Sequence, residues 1–141
     1  MVAGSVEFGT DKTRKEMDGM SFGLQMEQHR QALIVRLSGE LDHHASDEAR
    51  TRMDEAIMRG NVTHLILSLK DLTFMDSSGI GVILGRYKHI TGKGGKMVVC
   101  DVSKPVHRLF EMSGLFKIIT IESSEGEALS SLGVVSCAER I

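Results

Sequence analysis

Tryptophan is absent from this chain, and tyrosine occurs once, at Tyr87. With five phenylalanines beside it, the sequence offers few flat rings on which single-stranded bases could stack. A basic excess is missing as well. Seventeen Lys and Arg against 19 Asp and Glu leave a formal net charge of −2, so no field exists to neutralise a phosphate backbone. Direct nucleic-acid binding is not expected. No apolar run approaches the ~18 residues of a membrane span, and the N-terminus lacks the apolar stretch of a secretory signal. The two cysteines, Cys100 and Cys137, are too few for a disulfide framework. Cys100 closes the apolar run KMVVC and reads as a buried free thiol. Together these absences place the chain in a reducing cytoplasm.

What is present is the composition of a soluble globule: 41% hydrophobic and 26% charged in 141 residues, enough for one compact domain. Residues 1–19 show neither helical nor strand period and read as a flexible leader or appended remnant, with Met20 as a start. The domain is expected over residues 20–136, and residues 137–141 as a flexible tail.

Strands are predicted at Ser21 to Met26 and Gln31 to Ser38, and the short EQHR connection makes them an antiparallel hairpin. Asp42 is an N-cap for a helix whose narrow apolar face is Ala45, Ala49, Met53 and Ala56, with Gly60 as its stop. An apolar strand, Val62 to Leu69, leads into a second helix striped by Ile80, Ile83, Leu84, Tyr87 and Ile90. GKGGK is a turn, Met97 to Cys100 a central strand. Ser103 and Pro105 open a third helix with Val106, Leu109 and Phe110 inward and Gly114 beyond its end. FKIITI (116–121) is a last strand. Ser124 and Glu127 have capping-box spacing before a final helix carrying Ala128, Leu129 and Leu132. Strands alternating with helices predict a single α/β domain of about four helices, its sheet mostly parallel with an antiparallel N-terminal edge strand.

The most informative stretch is FMDSSGIGVILGRYKHIT (74–91). It sets Asp76, Ser77 and Ser78 at a strand-to-helix corner, where short polar side chains cap the first amides. The same corner is the positive end of a helix dipole, favouring an added anion by about 0.3–1 kcal/mol. Simple capping and a phosphate switch at Ser77 are both consistent with it. Gly79, Gly81 and Gly85 lie in the same helix, where each interior glycine costs roughly 0.8–1 kcal/mol relative to alanine. Such a cost is tolerated where something approaches the backbone closely. Either a docking surface for another protein or a tight helix–strand contact inside the domain would account for it.

Catalytic motifs are defective. Gly79, Gly81 and Gly85 are spaced GxGxxxG rather than as a dinucleotide fingerprint, and nine or so residues separate them from Leu69, where a Rossmann turn would leave the strand at once. GKGGK precedes a strand, and Met97 stands where a P-loop needs Ser or Thr. Neither serine sits in a GxSxG elbow. His43 and His44 are adjacent, so they project differently from a helix, and no paired ligands have metal spacing. His64 reads as a satisfied structural residue. No enzyme, cofactor or metal site is expected.

LSGELDHHAS (37–46), LTFMDSSGIGVILGRYK (72–88), GGKMVVCDVSKPVHRLFEMSGLFKII (94–119) and the terminal SLGV resemble the STAS-domain anti-anti-sigma factors, in particular those of sporulation. The resemblance covers roughly residues 20–136, and DSSG in this context is its specific motif. It implies that the unphosphorylated chain binds an anti-sigma factor that is also a serine kinase, releasing a sporulation sigma factor. The kinase would phosphorylate Ser77 from ATP, and a PP2C-type phosphatase would restore the active form. Asp76, Ser78 and Gly79 would border the docking site, with Asp42 and His43, and with Gly81 and Arg86 on the second helix, as partner contacts. A general-stress antagonist or another partner-switching STAS component is the alternative within the family. A small nucleotide-binding protein is the alternative outside it.

Overall fold

The computed structural model describes residues 22–133. The expected leader and tail, Ser21, and the boundaries at residues 20 and 136 lie outside them, as does Cys137. The elements run β1 (Phe22–His29), β2 (Ala32–Leu41), α1 (His43–Arg59), β3 (His64–Met75), α2 (Ser77–Gly92), β4 (Met97–Cys100), α3 (Lys104–Ser113), a 3-10 turn (Leu115–Lys117), β5 (Thr120–Glu122) and α4 (Glu125–Ser131). The five strands lie in the order β1-β2-β3-β4-β5. β1 pairs antiparallel with β2, and every other pair is parallel. This is the expected α/β architecture.

Alternation along the strands sorts their side chains between two cores. Leu33, Val35, Leu65, Leu67 and Val99 face one side. There they pack with Ala49 and Met53 of α1, Ile83 and Ile90 of α2, and Val106 and Phe110 of α3. Ile34, Ile66, Val98 and Cys100 face the other side, under Ala128 and Leu129 of α4. The Cys100 thiol is buried there; burial first, then the neighbouring Asp101, pushes its pKa up to about 12. It is a packing residue with little thiolate character. α4 is pinned by charge at its start. Arg36 donates to Glu125 at 2.7 and 2.9 Å and to Glu27 of β1 at 2.9 Å.

Three elements differ from the sequence reading. The hairpin strands extend through most of EQHR, so the turn is only Arg30 and Gln31, with Arg30 in the left-handed region at φ 57°. Polar residues continue the strand because they satisfy one another: Glu27 meets Arg36 across the pair, and its other oxygen is 2.6 Å from His29 Nε2. β3 runs on to Met75 rather than ending at Leu69. Leu72 and Met75 return to the core, while irregular register between Arg36 and Glu40 keeps β2 paired up to Leu41 and Met75. Of FKIITI only Thr120 and Ile121 are strand. Leu115 and Ile119, four apart, are both buried by one turn of helix, closed by Ile119 N–H donating to the Leu115 carbonyl at 2.9 Å.

The capping assignments hold. Asp42, Asp76 and Ser124 each accept amides of their helices, and Gly60 and Gly114 follow α1 and α3. Ser103 sits at the α3 cap position without capping; its hydroxyl donates instead to the Leu72 carbonyl at 3.3 Å. Leu109 and Leu132 are only partly buried. His64 Nδ1 accepts the Lys96 amide at 3.1 Å, a structural use of the ring.

Gly95 explains part of GKGGK. A Cβ there would lie 1.7 Å from the Thr63 carbonyl oxygen, so only glycine lets this turn sit against the start of β3. Gly95→Ala is expected to destabilise by roughly 2 kcal/mol or more, as overpacking against backbone does. Gly92→Ala, where an added Cβ meets nothing, is expected to shift stability by less than about 1 kcal/mol. Thermal unfolding of the two variants checks this.

Acid sensitivity follows from Glu27. Partial burial would raise its pKa from the ordinary 4.5, but the hydrogen bond and charge of Arg36 hold it lower. Its stabilising effect is therefore complete above pH 4.5 and disappears as pH falls through the lowered value. Arg36→Met is expected to flatten the loss of stability below that pH, measured by denaturant titration across the acid range.

Candidate phosphorylation and docking site

The site is built where two parallel strands end together. Leu41 of β2 and Met75 of β3 are register partners. The next residues, Asp42 and Asp76, are therefore neighbouring N-caps of α1 and α2. The Asp76 amide donates to the Leu41 carbonyl at 3.4 Å, tying the two corners. Two positive helix ends thus converge on one small surface.

Asp42 Oδ1 accepts the amides of His44 and Ala45, both at 3.0 Å. Asp76 Oδ1 takes three donors: the Ser78 amide at 2.9 Å, the Gly79 amide at 3.4 Å and the Ser78 hydroxyl. The backbone of His43, the first residue of α1, adds a smaller pull toward the ionised form of Asp76. The Ser78 hydroxyl first, with help from the backbone amides, holds Asp76 below the usual carboxylate range against the opposing effect of burial. Asp76 is a fixed anion and a weak base.

The two serines differ sharply. Ser78 is half-buried, with its proton committed to Asp76 and its oxygen 2.9 Å from the hydroxyl of Ser46 on α1. Ser77, the first residue of α2, is exposed, and its hydroxyl bonds to none of the described residues. Ser46 escaped the sequence reading, although its position four residues after Asp42 turns it toward the corner. Phe74 was missed too: this ring is 45% exposed beside the corner.

The glycines divide. Gly79 is buried, and a Cβ there would lie 2.3 Å from Met75 Cγ and 3.1 Å from Leu41 Cδ2, so it seals α2 onto the strand ends. Gly81 and Gly85 would meet nothing within 4 Å. The internal-contact explanation therefore holds for Gly79 alone, and Gly81 lies one turn beyond Ser77 on open surface. The spacing objection to a dinucleotide site changes, because β3 reaches Met75 and Gly79 lies in the first turn of α2. The GxGxxxG spacing still departs from the dinucleotide fingerprint, and Gly79 is closed by side chains.

Asp42, His43, Asp76, Ser77, Ser78 and Gly79 are brought together, with His43 exposed and Asp42 half-buried. Arg86 is not with them. Its side chain is 9% exposed and turned to α1, with Nε 3.2 Å from Asp54 Oδ1 and a nitrogen donating to the Arg50 carbonyl at 3.3 Å. The reading of Arg86 as a surface contact is corrected to that of a strut between α1 and α2. Its place in the stripe follows from that burial, because Val82, Ile83, Arg86 and Ile90 are the residues buried after Gly79. Ile80, Leu84 and Tyr87 only flank them.

Among the described residues no three His, Cys, Asp or Glu side chains cluster as metal ligands, and no helix is long and apolar enough to cross a membrane.

The chain is 64% identical over 117 residues to an anti-sigma F factor antagonist of Paenibacillus polymyxa, covering 83% of this chain and 100% of that protein. In structure it is similar to the anti-sigma factor antagonist SpoIIAA in its unphosphorylated form, with TM-score 0.69, 35% identity and coverage of 80% of this chain and 99% of that one. It is similar also to the Bacillus cell fate determinant SpoIIAA in the phosphorylated form, with TM-score 0.62, 36% identity and coverage of 77% and 97%. Residues 23–128, which hold both capped corners and the whole sheet apart from its first residue, match the STAS domain. The chain belongs to the STAS domain family.

Proposed function

We propose that this chain is an anti-sigma F factor antagonist that acts by binding and is switched by phosphorylation of Ser77. Unphosphorylated, it docks on an anti-sigma factor serine kinase through Asp42, His43, Asp76 and Gly81, on a surface that the inward-turned Ser78 and Gly79 border from beneath, and so frees the sporulation sigma factor. The kinase transfers the γ-phosphoryl group of ATP to Ser77. An O–P bond forms at Ser77 Oγ as the bond to the β-phosphate oxygen breaks, ADP leaves with the electron pair, and the hydroxyl proton goes to a base on the kinase. A PP2C-type phosphatase hydrolyses the ester, and the cycle runs in the cytoplasm. The chain supplies an acceptor and a surface and performs no catalysis itself.

The observation that carries this reading is the unbound, exposed Ser77 hydroxyl at the head of α2, beside a carboxylate whose charge is fixed. Phosphate adds about −1.5 to −2 charges at that point. Repulsion from an anionic group of a partner at ~6 Å is worth roughly 1–3 kcal/mol, or ten- to a hundredfold in affinity. Exclusion of phosphate from a close interface adds to it. Within the chain, the positive helix end tolerates the new charge, so the fold has no reason to rearrange. Phosphorylation therefore acts on the surface.

Ser77→Asp is expected to weaken binding to the kinase by tenfold or more, on the order of the repulsion above, while its thermal unfolding stays near that of the parent. Ser77→Ala is expected to bind, to hold its complex when ATP replaces ADP, and to take up no phosphate. Titration calorimetry and intact-mass spectrometry with the purified kinase read both outcomes. A complex of the parent that survives ATP turnover, or phosphate found elsewhere, contradicts the proposal.

Gly81→Gln tests the docking face separately. Its side chain enters open space, so stability is expected to change by only about 1 kcal/mol in the stabilising direction. Kinase affinity should fall at least about tenfold if the partner packs on this backbone. Equal affinity would move the interface away from Gly81.

A further inference from the structure

We propose that Ser78 is a positioning residue for phosphoryl transfer, keeping Asp76 from capturing the hydroxyl of Ser77. The inference rests on Ser77 as the acceptor and assigns its neighbour a distinct task. Asp76 and Ser77 are adjacent, and an aspartate at a helix N-cap readily accepts any donor in the first turn. A hydrogen bond from the Ser77 hydroxyl to this carboxylate would hold the acceptor oxygen against the corner. It would then have to be broken before Ser77 Oγ could approach a phosphorus atom.

In the structure Asp76 is engaged by other donors. Asp76 Oδ1 accepts the Ser78 amide, the Gly79 amide and the Ser78 hydroxyl, and the Ser77 hydroxyl bonds to none of the described residues. Ser78 is itself held. Its oxygen lies 2.9 Å from the buried Ser46 Oγ, whose single proton is shared between Ser78 Oγ and the Asp42 carbonyl, also at 2.9 Å. This run of hydroxyls links the cap of one helix to the cap of the other and does not include Ser77. The same arrangement gives acceptor fidelity between two adjacent serines, since the Ser78 proton is engaged and its oxygen faces inward. The Ser77 hydroxyl is thereby left uncommitted before the kinase arrives, with no hydrogen bond to break in the transfer, and such an effect acts on the chemical step more than on association.

The test compares Ser78→Ala and Ser78→Thr with the parent as substrates of the purified anti-sigma kinase and ATP. Steady-state kinetics, binding by calorimetry in ADP, and thermal unfolding are followed together. Ser78→Ala is expected to lose about five- to tenfold in kcat, with KM and the ADP-state Kd within about twofold, the signature of an interaction used in the chemical step. Ser78→Thr, which keeps the hydroxyl, is expected to return kcat to within about twofold of the parent. In a Ser77→Ala chain, no phosphate is expected on Ser78.

Parental kcat in Ser78→Ala would overturn the proposal. So would a loss confined to KM and Kd, which would make Ser78 a contact, and so would a folded Ser78→Thr that fails to recover kcat. Phosphate on Ser78 would contradict the inward commitment of its hydroxyl. A parent that takes no phosphate at Ser77 would instead defeat the reading of the acceptor on which this inference stands, and is seen in the same mass spectra.

Discussion

Everything at the site depends on the parallel pairing of β2 with β3 up to the register partners Leu41 and Met75. Because both strands stop at the same level, the helices that follow start side by side, and two N-caps become one polar surface. Asp76 accepts the Ser78 and Gly79 amides of α2, and the backbone of His43 at the start of α1 helps keep it ionised. An isolated helix end offers a phosphate modest stabilisation; two ends beside a fixed carboxylate define where charge can be added and what it will oppose.

Under the proposed switch, that arrangement would let a small modification act strongly without a conformational relay. The corner is rigid at its base: Gly79 is closed by Met75 and Leu41, and Arg86 bridges to Asp54 and Arg50 beneath the surface. It is bare on top, where Ser77 and Gly81 are exposed. A partner that packs on a bare backbone comes close, and closeness makes a single added phosphate decisive, since Coulomb repulsion and desolvation both rise steeply at short range. On the far side of the sheet, Arg36 and the apolar contacts of α4 complete the second core, away from this surface.

Much of this was legible along the chain. The caps at Asp42, Asp76 and Ser124, the stops at Gly60 and Gly114 and the short strand of β4 are local signals, set by side-chain hydrogen bonding and backbone freedom within a few residues. Alternation of strand and helix sufficed for a largely parallel sheet. Elements misjudged in extent were those whose limits depend on a neighbour. β3 passes through the exposed Lys70 and Asp71 because β2 continues beside it, and the Leu115 to Ile119 turn winds as helix because both ends find the core.

The sequence by itself determined that a helix begins at Asp76 with two serines and a bare glycine face, because capping chemistry and glycine content are properties of adjacent residues. Only the tertiary structure decided which serine is free, which glycine is closed and where Arg86 points. Those outcomes turn on Ser46, Leu41, Asp54 and the backbone of His43, groups brought from α1 and β2 by sheet register. A linear reading contains the residues but not the distances between them, and hydrogen bonding and close packing act only over a few ångströms.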